Sequence, residues 1–172
     1  MRISLERLFK SYMRNMDTSA RIYSYRQSEP QTLWVSLTMQ LAICTRFTPI
    51  GGQDITQPLP YDPSSTIETQ VRSSFATSLR QLRTTYLDSY ILHSPLETYA
   101  KTLEAWRVLI GFQDDGRVRV IGLSNTYDPS LLTRLGEDSG RAVQVVQNRW
   151  YERNGWDREV VEWCRANCAQ YQ

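Results

Sequence analysis

A chain of 172 residues with 41% hydrophobic and 22% charged residues has the make-up of a folded globular protein and argues against global disorder. The formal net charge is only +2, so the basic footprint of a nucleic-acid binder is missing. No window approaches the ~20 apolar residues of a membrane span, and the opening MRISLERLFK lacks the apolar core and cleavage site of a secretory signal. These features predict a cytoplasmic protein without nucleic-acid or membrane partners.

Taken in chain order, the first 65 residues are irregular. Residues 5–10 fit a short helix, and Met39 to Phe47 (MQLAICTRF) fits a strand. Thr48 to Ser65 is rich in Gly, Pro and Asp and reads as a long loop, a feature that in compact domains is often functional. From residue 66 the pattern becomes regular. Ile67, Val71, Phe75, Leu79 and Leu82 recur at helical spacing between Thr66 and Thr84. Leu87 to Leu92 is β-rich, Glu97 to Asp114 is helical, and Gly116 marks that helix's end. VRVIGL at 118–123 is a further strand. Asp128-Pro129 is a capping residue followed by a proline in the first turn, opening a helix to about Leu135. Ala142 to Val146 completes the strands, and Trp156 to Cys168 reads as a last helix.

Strand and helix alternate through short connections, which predicts βαβ crossovers and a parallel sheet in a single domain over residues 1–172. Pattern alone leaves open whether that sheet is a doubly wound layer or a barrel. The cysteines are Cys44, Cys164 and Cys168. An odd count suits reduced thiols, and Cys164 and Cys168 would share a helix face. With His93 the only histidine, a metal site is not expected.

Polar residues fall where strands end. Arg46 closes LAICT, His93 follows the 87–92 strand, Ser124-Asn125 follows VRVIGL, and Gln147-Asn148 follows AVQVV. In parallel α/β folds the C-terminal strand ends converge on one rim, which carries the site. No G-x-G-x-x-G phosphate loop and no G-x-S-x-G nucleophile elbow occurs.

The stretches LRQLRTTYLDSYILHSP, GRVRVIGLSN and VVQNRWY resemble the aldo-keto reductases in order, spacing and strand context. CTRFTPIGGQD resembles the loop after that family's third strand, and SYMRNMDTSARIYSYRQSE resembles its second strand and following loop. The resemblance implies an incomplete TIM (β/α)8 barrel of about five parallel strands, the family's second through sixth. It places the first strand before this chain and the seventh at its end, so the chain is expected to be truncated at both ends. The two resulting sheet edges predict self-association unless another segment covers them.

By the same resemblance the catalytic positions are Asp17, Tyr25, Arg46 and His93, with Tyr23 competing for the tyrosine and Arg46 replacing the family's lysine. Ser124, Asn125 and Gln147 match the residues that hold the nicotinamide carboxamide of NADP (NADPH). The implied activity is NAD(P)H-dependent reduction of an aldehyde or ketone, or oxidation of the corresponding alcohol, with Tyr as general acid and His orienting the carbonyl. The alternative is an inactive fragment, a pseudoenzyme or a binding subunit.

Overall fold

A computed structural model describes residues 21–24 and 41–172. Five strands form a parallel sheet in sequence order: β2 (Leu41–Phe47), β3 (Leu87–Leu92), β4 (Val118–Ser124), β5 (Val145–Gln147) and β6 (Gln170–Tyr171). Helices α1 (Ile67–Leu82), α2 (Tyr99–Asp114), α3 (Pro129–Ser139) and α4 (Arg158–Ala166) connect them. The expected alternation and parallel sheet are therefore present.

Two memberships differ from expectation. The fifth parallel strand is Gln170–Tyr171. On the other side, β1 (Arg21–Ser24) lies antiparallel along β2, pairing Arg21 with Cys44 and Ser24 with Leu41. The β2 edge, where the resemblance implied a parallel neighbour, is thus covered by an antiparallel N-terminal strand. The expected short helix over residues 5–10 lies outside the described residues.

Local chemistry sets the helix limits. Thr66, Thr98 and Asp128 each accept a backbone N–H with their side chain at the start of α1, α2 and α3, satisfying groups that the helix itself cannot. Gly116 and Gly140 take left-handed φ values of 69° and 71° after α2 and α3, a conformation open to a residue without Cβ. The last helix is shorter than its sequence suggested: α4 starts at Arg158, after a 3-10 segment over Glu152–Asp157, and ends at Ala166. Cys168 lies beyond it with φ 54°, exposed, while Cys164 is buried, so the two thiols do not share a helix face.

The two faces of the sheet are built differently. Thr45, Phe47, Tyr90, Leu92, Ile121, Leu123 and Val146 share the parity that faces the helices, and most of them join Phe75, Trp106, Leu109, Phe112 and Leu132 in one core. Phe75 stacks on Phe112 with ring centroids 4.1 Å apart, and Tyr90 meets Phe75 edge-on at 5.0 Å. Fully buried Trp106 satisfies its indole N–H on Ser139 Oγ at 3.1 Å. The opposite parity carries Cys44, Arg46, Ser89, Ile91, Gly122, Ser124, Val145 and Gln147.

Candidate active site

Parallel pairing brings the carboxyl ends of β2 to β5 to one rim. The His93 N–H donates to the Phe47 carbonyl at 2.8 Å, which extends the β2–β3 ladder by one residue. The Asn125 side-chain amide donates to the His93 carbonyl at 2.7 Å, and its backbone N–H donates to the Gln147 carbonyl at 3.2 Å. Ser124, 4% exposed, donates its hydroxyl to the same Gln147 carbonyl at 2.6 Å. His93, Ser124, Asn125 and Gln147 are therefore one hydrogen-bonded row across three strand ends, with Asn125 held at φ 51°. No described residue donates to Asn125 Oδ1.

Arg46 and His93 together line a cavity of about 300 Å³ between the loop after β2 and α1, with Thr48, Gln53, Ser74 and Thr77 in its wall. Burial lowers the His93 pKa below the usual histidine range, and the positive charge of Arg46 lowers it further, so the imidazole is neutral at pH 7. The loop that supplies this wall is pinned by Tyr61, whose hydroxyl donates to the Thr48 carbonyl at 2.7 Å, and by Gln53, which donates to the same carbonyl at 3.0 Å. A side chain on Gly52 would sit 3.0 Å from the Thr48 methyl and 3.5 Å from His93 Nδ1, so the tip of the loop closes directly over the imidazole.

Asp17 and Tyr25 lie outside the described residues. For Tyr23 the backbone is described, and it pairs with Ala42 at the amino-terminal end of β2. Four residues at ~3.3 Å each put that position about 13 Å from the level of Arg46.

Sequence reasoning left out a second layer behind the row. Asn148 accepts from the Thr126 N–H at 3.0 Å and donates to the Thr126 carbonyl at 2.6 Å. Its amide also donates to Asp157 Oδ2 at 2.7 Å, which accepts in addition from the Tyr171 hydroxyl at 2.9 Å. Burial first, and the bond to Asp157 second, push the Tyr171 hydroxyl pKa well above the usual tyrosine value. Asn148 was visible in the sequence as the neighbour of Gln147. Asp157 carried no signal, because it lies inside what reads as a helix.

The strand ends of this parallel α/β sheet thus gather a histidine, an arginine and a row of amide and hydroxyl groups on one rim. The sequence profile of the aldo/keto reductase family matches residues 3–169, and the chain belongs to that family. Among curated relatives it is 35% identical over 75 residues to an aldo-keto reductase of Mycolicibacterium smegmatis, a match covering 44% of this chain and 27% of the relative. It is 34% identical over 76 residues to a methylglyoxal reductase, DkgA, of Yersinia pestis, covering 44% and 27%. A glyoxal reductase of Bacillus subtilis is 30% identical over 100 residues, covering 58% of this chain and 35% of the relative. These matches thus span about a quarter to a third of the relatives' own length. Among solved structures, an aldo/keto reductase from Brucella melitensis superposes with TM-score 0.55 at 28% identity, over 59% of this chain and 39% of that one. The sheet therefore corresponds to part of an aldo-keto reductase TIM barrel. Among the described residues no helix is long and apolar enough to cross a membrane.

Proposed function

We propose that this chain carries the carbonyl-binding and nicotinamide-binding part of an NAD(P)H-dependent reductase acting on small polar aldehydes or ketones. The observation that supports it best is the hydrogen-bonded row His93–Asn125–Ser124–Gln147 beside a polar cavity that His93 shares with Arg46. A nicotinamide carboxamide presents one acceptor and one amide donor group. Ser124, Asn125 and Gln147 are hydroxyl and amide residues of matching chemistry, and Asn125 Oδ1 has no donor among the described residues. Ser124, Asn125 and Gln147 would hold the nicotinamide, whose reduced form would provide the hydride for the carbonyl carbon.

The chain's own residues supply the rest. Neutral His93 donates an N–H to the substrate oxygen and orients it. Tyr25 is assigned as the general acid, and a cation beside the phenol eases its ionisation. Arg46 has that charge, and by the family resemblance Asp17 would hold it, but its planar fork is not the compact ammonium of a lysine. The cavity, about 300 Å³ and walled by Thr48, Gln53, Ser74 and Thr77, suits small hydrophilic carbonyls. That fits the dicarbonyl substrates in the names of the Yersinia and Bacillus relatives.

Titration of NADPH fluorescence with the 172-residue chain, followed by loss of cofactor absorbance on adding methylglyoxal, tests the proposal. Micromolar binding and methylglyoxal-dependent turnover, both weakened in Asn125→Ala, are expected. Absence of binding up to millimolar cofactor overturns it. Binding without turnover favours a second reading, a cofactor-binding chain that does not reduce. The antiparallel β1, with the Tyr23 backbone at the far end of β2 from Arg46, supports that second reading.

A further inference from the structure

Behind the row that faces the proposed cofactor site lies a buried carboxylate that the proposed chemistry does not use. Asp157 is 6% exposed, and its Oδ2 gathers two donors from two different strand ends, Asn148 Nδ2 after β5 and Tyr171 Oη on β6. It reaches them from an unusual backbone: Gly155, Trp156 and Asp157 take φ values of 64°, 61° and 46° in succession. Glycine adopts that region freely, whereas tryptophan and aspartate do so only where their surroundings hold them. Trp156 is held by Trp150, whose ring centroid is 4.7 Å away, and Asp157 by its two donors.

The partners of this carboxylate are the groups that fix the row. Beyond Ser124 and Gln147 the β4–β5 ladder ends. The Asn148 carboxamide continues it, offering Thr126 an acceptor and a donor as a peptide group would. With Nδ2 shared between the Thr126 carbonyl and Asp157, the orientation of that carboxamide depends on the carboxylate. Its backbone N–H meanwhile donates to the Gln172 carbonyl at 3.1 Å, and the Gln172 N–H donates to the Val146 carbonyl at 2.9 Å. Gln147 is thus flanked on both sides by bonds to Gln172, the neighbour of the Tyr171 that Asp157 holds.

We infer that Asp157 is a positioning residue for the carboxamide-binding row, fixing Gln147, Ser124 and Asn125 through Asn148 and Tyr171. The inference rests on the proposed cofactor site for its functional consequence, but its structural half stands apart from it.

Two measurements on the full chain separate those halves. Amide hydrogen exchange reads the positioning directly. Asp157→Ala is expected to lose protection at Thr126, Asn148 and Asn125, whereas the amide of Leu87, bonded to the Arg117 carbonyl at the opposite end of the sheet, keeps it. NADPH titration reads the consequence: about tenfold weaker binding in Asp157→Ala, with affinity restored in Asp157→Asn, which retains an acceptor oxygen and suits the left-handed region. Tyr171→Phe removes one donor without removing the ring, and it gives a smaller loss in the same direction should Asp157→Ala fail to fold.

Unchanged protection at Thr126 and Asn148, or loss spread evenly over the chain, overturns the inference. So does wild-type NADPH affinity in both Asp157→Ala and Tyr171→Phe. If the unsubstituted chain itself does not bind NADPH, the proposed function fails and the exchange pattern alone decides the positioning role.

Discussion

The two faces of the same strands solve opposite problems. On the helix-facing side Tyr90, Leu92, Ile121, Leu123 and Val146 are at most 0% exposed and pack against aromatic rings, so each residue there is held by shape. On the other side Arg46, Ser124 and Gln147 alternate with Ile91, Gly122 and Val145, and the Ser124 and Asn125 side chains are held by directed bonds to backbone carbonyls. Packing tolerates few changes of volume. A hydrogen-bonded row tolerates volume changes better but not the loss of a donor. Stability should therefore reside mainly on one face and the proposed chemistry on the other.

The largest test of that division is Trp106→Ala on the helix side. Removing a fully buried indole should cost about 3–5 kcal/mol, read as a lower denaturation midpoint in urea, and a loss below ~1 kcal/mol would contradict it. Gly122→Ala probes where the polar face does depend on packing. A Cβ there would collide with the Val145 carbonyl oxygen and lie 2.9 Å from the Ile91 methyl. A destabilisation of about 1–3 kcal/mol is expected, and a neutral result would mean that β4 and β5 separate easily.

Ser124→Ala removes the donor to the Gln147 carbonyl. It should lower the melting midpoint by the equivalent of only about 1 kcal/mol while weakening NADPH binding more than Trp106→Phe does. Equal effects of the two on binding would erase the distinction between the faces.

The smallest expected effect is a pH slope. Burial and Arg46 lower the His93 pKa in the folded state, so the unfolded chain binds this proton more readily. Stability from this group is present above the unfolded histidine value of about 6.5 and falls as pH drops below it. His93→Gln should flatten that part of the stability–pH curve while abolishing turnover, and an unaltered slope would remove the imidazole from the account.

Much of this was legible in the sequence, because the signals are local. Thr66, Asp128-Pro129 and Gly116 mark helix ends by chemistry that acts within a few residues, and they do so in the structure. The strand-end positions of Arg46, His93, Ser124 and Gln147 were legible because a strand's end is readable from its apolar run. What escaped is non-local or conformational. The pairing of Arg21–Ser24 with β2 depends on which edge is vacant, and Tyr23 gives no hint of its partner Ala42. The left-handed run at Gly155–Asp157 interrupts a stretch whose composition suits a helix, so the last helix was drawn too long at both ends. Asp157 falls inside that stretch and so carried no signal, although it is buried between two strand ends.

The side chain of Asn148 stands where a peptide group would otherwise continue the sheet. A ladder of peptide groups cannot be edited chemically without cutting the chain, but a carboxamide can. Exchange of its nitrogen for oxygen, the outcome of deamidation, would turn the donor shared by Thr126 and Asp157 into a second carboxylate facing the first. One hydrolysed side chain would then set like charges against each other behind the proposed cofactor row, leaving the sequence one atom away from an ageing-sensitive fastening.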